Sequence, residues 1–112
     1  MGKEERLRKN SEFTGVFERG GTWASEFVVL RAAPNGLEHN RYGFVTSKRL
    51  GNAVVRNRVK RLLREVTRTT PTTTGWDMVL IARGKAATAS YRQIEAAVTR
   101  LLHRAQILIN TN

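Results

Sequence analysis

Between residues 41 and 68 nine side chains are Lys or Arg and one, Glu65, is acidic. The cations are Arg41, Lys48, Arg49, Arg56, Arg58, Lys60, Arg61, Arg64 and Arg68. A guanidinium does not give up its proton in a protein, so the seven arginines of this cluster cannot do acid–base work. What the cluster can do is hold a polyanion. Arg dominates over Lys here, and its planar fork matches phosphate oxygens two at a time and stacks on bases. Asn57, between Arg56 and Arg58, adds a donor and an acceptor for a base or sugar edge.

The spacing makes this charge one-sided. At about 100° per residue, Val55, Val59, Leu62, Leu63 and Val66 share a sector of roughly 100°, the width of a core-facing stripe. Arg56, Lys60, Arg61, Arg64 and Arg68 fall opposite, with Arg58 at the far edge of the cationic sector. A helix that merely faces solvent mixes in acids at i, i+4, whereas here Glu65 stands alone. Five or six phosphate contacts from such a face imply a log–log salt slope of roughly −4 to −5 on a duplex.

Other chemistry is thin. Phe13 and Phe17, at i and i+4, fit either core packing or a platform for stacked bases. His39 and His103 have no metal-ligand spacing to a further ligand, and the nine carboxylates show no acid/base pair. Gly84-Lys85 lacks the other residues of a phosphate loop. Trp76 and Tyr91 read as packing residues. Cysteine is absent, which excludes disulfides and cysteine-bound zinc and fits a reducing, cytoplasmic setting. No catalytic and no metal-ligating residue is assigned.

The elements that must position these groups follow from pattern. A chain of 112 residues with 40% hydrophobic residues supports one compact domain, 1–112. Its formal net charge of +11 favours an anionic partner, which would relieve self-repulsion. No apolar run reaches the length of a membrane span, no secretory pattern opens the sequence, and Arg6 stands where a myristoylation motif needs Ser or Thr. Residues 1–9 are polar and are expected to form a mobile basic arm. A helix is expected over 11–19, capped by Asn10 or Ser11 and ended by Gly20-Gly21. Strands are expected over 23–33 and 41–47, paired as an antiparallel hairpin around Pro34-Asn35-Gly36. The basic helix is expected over 52–68 with Asn52 as cap, a loop around Pro71, a buried strand over 76–83, and a last helix over 90–110 with a Ser90/Gln93 capping box. This is an α+β architecture of helices packed on one mixed sheet.

At Lys48-Arg49-Leu50-Gly51-Asn52-Ala53-Val54-Val55-Arg56-Asn57-Arg58-Val59-Lys60-Arg61-Leu62-Leu63-Arg64-Glu65 the chain resembles the protein subunit of bacterial ribonuclease P. Arg41-Tyr42-Gly43-Phe44, Asp77 to Arg83, and Leu7-Arg8-Lys9 leading into Phe13 and Phe17 agree, so the resemblance covers about 6–108. It implies a fold like the second domain of a small-subunit ribosomal protein, with a left-handed βαβ crossover through the basic helix. It implies a partner, ribonuclease P RNA, that carries the catalytic centre and Mg2+, and a substrate, precursor tRNA, whose 5′ leader is removed. Residues that would contact the catalytic RNA are Arg56, Asn57, Arg58, Lys60, Arg61, Arg64 and Arg68. A cleft for the single-stranded leader would use Phe13, Phe17, Ser47, Lys48 and Arg49. Family members often place a further aromatic on the first strand facing this cleft; here the stretch reads Val28-Val29-Leu30-Arg31, with Trp23 at the strand's start. Neither a membrane nor an obligate protein partner is expected. The competing readings are a basic ribosomal protein binding structured rRNA, a DNA-binding module, for which so uniformly cationic a helix is poorly suited, and a membrane-surface helix, whose apolar face the core already requires.

Overall fold

The computed structural model describes residues 5–109. Among them five strands form one mixed sheet: β1 (Glu5–Arg6), β2 (Gly21–Ala24), β3 (Val28–Pro34), β4 (Arg41–Val45) and β5 (Trp76–Ala82). Their spatial order is β1-β4-β5-β3-β2. The helices are α1 (Asn10–Arg19), α2 (Ala53–Thr69) and α3 (Tyr91–Arg104), with short 3-10 helices at Lys48–Leu50 and Gly84–Thr88.

The continuous apolar run in β5 places it at the sheet's centre, because both of its faces must be covered. Met78, Val79 and Leu80 are all buried. β4 flanks it in parallel and β3 antiparallel. This corrects the expected hairpin between residues 23–33 and 41–47: β5 lies between those strands. The loop after Pro34 instead crosses the start of β5, where the Asn35 N–H donates to Gly75 O at 2.9 Å. α2 connects the parallel pair β4 and β5.

Three further expectations change. The strand expected over 23–33 breaks at Ser25, whose hydroxyl donates to Val28 O and accepts from the N–H groups of Phe27 and Val28. That turn folds β2 back on β3. The basic arm is in part a strand: β1 pairs in parallel with β4, Leu7 is buried, and its N–H donates to Tyr42 O at 2.9 Å. Residues 1–4 of that expected arm lie outside the described residues. The last helix stops at Arg104. Gln106 has φ 62°, and the chain turns back so that Ile107 is fully buried and Leu108 bridges Thr72. The expected end at residue 110 also lies outside the described residues.

Caps follow the local chemistry. Asn52 Oδ1 accepts from Val55 N at 3.1 Å, and Ser90 and Gln93 exchange side-chain bonds with each other's N–H. α1 begins differently from expectation, since Asn10 and Ser11 lie inside it. Glu12 reaches back instead and accepts from the N–H groups of Arg8 (2.7 Å) and Lys9 (3.1 Å).

Strand alternation divides the core between two faces. Val28, Leu30, Ala32, Tyr42, Met78 and Leu80 meet the apolar stripes of α2 and α3. On the other face Val79 meets Val16 of α1 and Leu7. Arg41 ties this second layer down: its guanidinium forks onto the buried Asp77 carboxylate at 2.8 and 2.6 Å and reaches Glu12 of α1 at 2.8 Å.

Candidate nucleic-acid interface

α2 buries Val59, Leu63 and Val66 completely, with Val55 and Leu62 half-buried beside them. This orientation turns Asn57, Arg61 and Arg68 to solvent and leaves Arg56, Lys60 and Arg64 half-exposed. The helix enters from the Lys48–Leu50 turn through Gly51, at φ 152°, where a Cβ would press on Val55 at 3.0 Å. The tight entry sets α2 directly behind Ser47, Lys48 and Arg49, all three exposed.

The cations are not equivalent. Arg58 donates from Nη1 to Ala87 O at 3.2 Å and from Nη2 to Ala89 O at 2.7 Å, so its fork holds the chain between the Gly84–Thr88 turn and α3. Arg68 pairs with Glu65 at 2.6 Å. Arg64 lies 5.8 Å above the Phe44 ring, a cation–π distance. The Nε atoms of Arg56 and Arg64 are buried with no hydrogen-bond partner among the described residues.

Two grooves flank the cationic ridge of α2. One, of about 180 Å³, is lined by Arg6, Phe13, Phe44, Lys60 and Arg64 among others. The second, of about 430 Å³, lies between α2 and the start of α3 and includes Arg61, Leu62, Arg68 and Tyr91.

The opposite sheet face carries the α1 aromatics. Phe13 lies directly on the β4 backbone: a Cβ at Gly43 would come within 2.5 Å of its ring. Phe17 is 38% exposed, and the Arg31 guanidinium sits 4.8 Å from its ring centroid while donating to Phe17 O at 2.6 Å. Phe13 packs in one cluster with Val45, the last residue of β4, which leads into Ser47 and Lys48. Trp23 does not join these aromatics. It faces Leu30 across β2–β3 and packs on the α2/α3 core. Register also aligns Val45, Ile81 and Val29 on the α1 face, each half-buried. Sequence reading missed this apolar floor because Val29 and Ile81 sit inside continuous apolar runs, where alternation is invisible.

Electrostatics on this face centre on Glu12. The Arg8 N–H, then the Lys9 N–H, hold its carboxyl below the ordinary 4.5, with Arg41 adding to the effect. Among the described residues no three His, Cys, Asp or Glu side chains come together as metal ligands. No described helix is long and apolar enough to cross a membrane.

A mixed sheet with helices on both faces and an Arg-rich helix turned outward define a small α+β protein with a polyanion-binding face. The ribonuclease P family profile matches residues 1–106, and the chain belongs to that family. It is 47% identical over 112 residues to the ribonuclease P protein component of Dehalococcoides mccartyi (strain CBDB1), covering 100% of this chain and 93% of that one. It is 42% identical to the corresponding component of Caldanaerobacter subterraneus subsp. tengcongensis, over 91% of this chain and 90% of that one. Among solved structures it resembles the RNase P protein of Staphylococcus aureus, with a TM-score of 0.84 and 31% identity over 96% of this chain and 100% of that one. The Thermotoga maritima RNase P protein gives a TM-score of 0.79 and 30% identity, over 89% and 96%. The chain is therefore an RNA-binding protein component of an endoribonuclease, with ribonuclease P RNA as its partner, and the ribosomal reading finds no support.

Proposed function

We propose that α2 lies along the ribonuclease P RNA while the α1 face of the sheet holds the single-stranded 5′ leader of precursor tRNA. The observation that carries this is the separation within α2: Val59, Leu63 and Val66 are fully buried, and the cations lie opposite. Arg56, Asn57, Lys60, Arg61, Arg64 and Arg68 supply the RNA contacts. Arg58 belongs to the same set through its remaining N–H groups, while its Nη1 and Nη2 support the fold. Phe13, Phe17, Ser47, Lys48 and Arg49 serve the leader, with Val45, Ile81 and Val29 as an apolar floor and Arg31 against Phe17. Stacking on such rings tolerates any base, which suits leaders of varied sequence.

The cleavage itself belongs to the RNA subunit in this reading, with Mg2+ held by that RNA and the substrate. The protein's cations lower the phosphate repulsion between an RNA enzyme and an RNA substrate. Its setting would be the cytoplasm, where precursor tRNA is available in bacteria. The test is reconstitution with a matched bacterial ribonuclease P RNA at low Mg2+. Stimulated cleavage of precursor tRNA is expected, and Phe17→Ala should weaken precursor binding more than mature tRNA binding. Absence of stimulation would overturn the proposal, and equal losses for the two tRNAs would remove Phe17 from the leader cleft.

A further inference from the structure

The groove of about 430 Å³ between α2 and α3 is built differently from a plain phosphate-binding surface. Its lining combines an aromatic ring, Tyr91, and an aliphatic side chain, Leu62, with the cations Arg58, Arg61, Arg64 and Arg68. Both apolar residues are half-buried, so each keeps part of its surface open. Tyr91 is the first residue of α3, and the reciprocal Ser90/Gln93 cap fixes the backbone that carries it. Its hydroxyl lies 3.4 Å from Thr69 Oγ1 at the end of α2, which steadies the ring from its far edge. A pre-positioned aromatic ring beside several guanidinium groups matches one ligand chemistry well: a flat, apolar-faced group attached to a phosphate.

We infer that this groove receives an unpaired nucleotide of the ribonuclease P RNA, its base stacked on Tyr91 and its phosphates held by Arg61 and Arg68. The inference rests on the proposal that α2 grips that RNA, and it adds a site beyond the cationic face. An A-form duplex keeps its base faces inside the stack, so only a splayed nucleotide can use the ring. An acidic peptide would satisfy the cations but leave the face of Tyr91 unused. Glu65 pairs with Arg68 at 2.6 Å and holds that side chain at the rim.

The experiment uses the full chain and a matched ribonuclease P RNA, comparing Tyr91→Ala, Tyr91→Leu and Tyr91→Phe. Each is first checked by thermal melting; the Leu and Phe variants keep an apolar side chain against the core should the Ala variant unfold. Tyr91→Leu is expected to bind roughly five- to a hundred-fold more weakly, the range that one base–aromatic stack supports. Tyr91→Phe should bind within about twofold of the unaltered protein, because it keeps the π face. The salt slope should be the same for all, since no phosphate contact is removed. Base-specific chemical probing should show an unpaired nucleotide protected by the unaltered protein and by Tyr91→Phe, and exposed again with Tyr91→Leu. Leu and Phe variants that bind as tightly as the unaltered protein, with its slope steep, would overturn the stack alone. Equal weakening by Leu and Phe would assign Tyr91 a structural role through its hydroxyl and also overturn it. A slope near zero for the unaltered protein would overturn the grip of α2 itself.

Discussion

Arg56 and Arg58 flank the same asparagine, yet their replacement by Ala should have different consequences. Arg58 donates two bonds to the carbonyls of Ala87 and Ala89, at 3.2 and 2.7 Å. A hydrogen bond from a charged donor contributes about 1.5–3 kcal/mol when well shielded. These bonds are only partly buried and one is long, so the loss in Arg58→Ala comes to about 1–3 kcal/mol. For a chain of 112 residues, unfolding entropy near the midpoint is about 0.24 kcal/mol/K, and the melting temperature should fall by roughly 4–12 °C. Among the described residues the Arg56 guanidinium has no such carbonyl partner on the sheet or α3, and Arg56→Ala should leave the melting temperature within about 2 °C. In RNA titrations at several salt concentrations the order reverses. Arg56→Ala should make the log–log slope shallower by about 0.7–0.9, the value of one phosphate contact, and Arg58→Ala by less. Arg58→Lys should recover only part of the lost stability, since a single ammonium cannot span two carbonyls as the fork does. Calorimetry and a binding assay suffice for both readouts. An unchanged melting temperature in Arg58→Ala, with a slope change equal to that of Arg56→Ala, would refute the reasoning.

Two more outcomes follow from the ionic network that fastens α1 to the sheet. Asp77→Ala removes a carboxylate that is 2% exposed and leaves Arg41 without its forked partner, although Glu12 still holds it. Breaking a buried pair costs about 3–5 kcal/mol; with the Arg41 side chain 22% exposed, about 2–3 kcal/mol is expected, a drop of roughly 8–13 °C by melting. Glu12 adds a pH dependence. Its carboxyl titrates below 4.5 in the folded state, so its stabilising contribution is complete above the unfolded value and is lost as pH falls through the folded one. Urea unfolding of Glu12→Gln against the unaltered protein should show a gap at neutral pH that closes on acidification below 4.5; a gap that persists or widens in acid would contradict the assignment.

How far the sequence determined these features varies with the physics. The cationic face of α2 was readable because one helix carries both signals: 3.6-residue periodicity places Val59, Leu63 and Val66 together, and charge occupies what is left. Caps at Asn52 and Ser90 were readable for the same local reason. Strand pairing was not, because the sheet order depends on which strand must be covered on both faces. The run 78–82 announces a buried strand, but nothing local says that it enters between the two strands that precede it in sequence. The Ser25 turn was hidden because its three hydrogen bonds come from one hydroxyl, in a stretch without Gly or Pro. The end of α3 was overrun because Ala105, Leu108 and Ile109 keep the helical spacing although the chain turns at Gln106.

The candidate site shows a different kind of limit. A count of arginines treats each guanidinium as equally available, but availability depends on carbonyls distant in sequence. Ala87 and Ala89 lie about thirty residues from Arg58, and only the packing of α3 against α2 brings them within reach. The same packing carries Tyr91, which read as a packing residue, to the rim of the cationic ridge. One contact between helices therefore both withdraws a cation's donors and presents an aromatic ring. A change that loosens α3 without touching α2, such as Ser90→Ala, should thus weaken both effects together: about 1 kcal/mol of stability from the lost cap, and RNA affinity through a ring no longer held in place. Loss of stability with full retention of affinity would mean that α2 binds RNA without help from its neighbour.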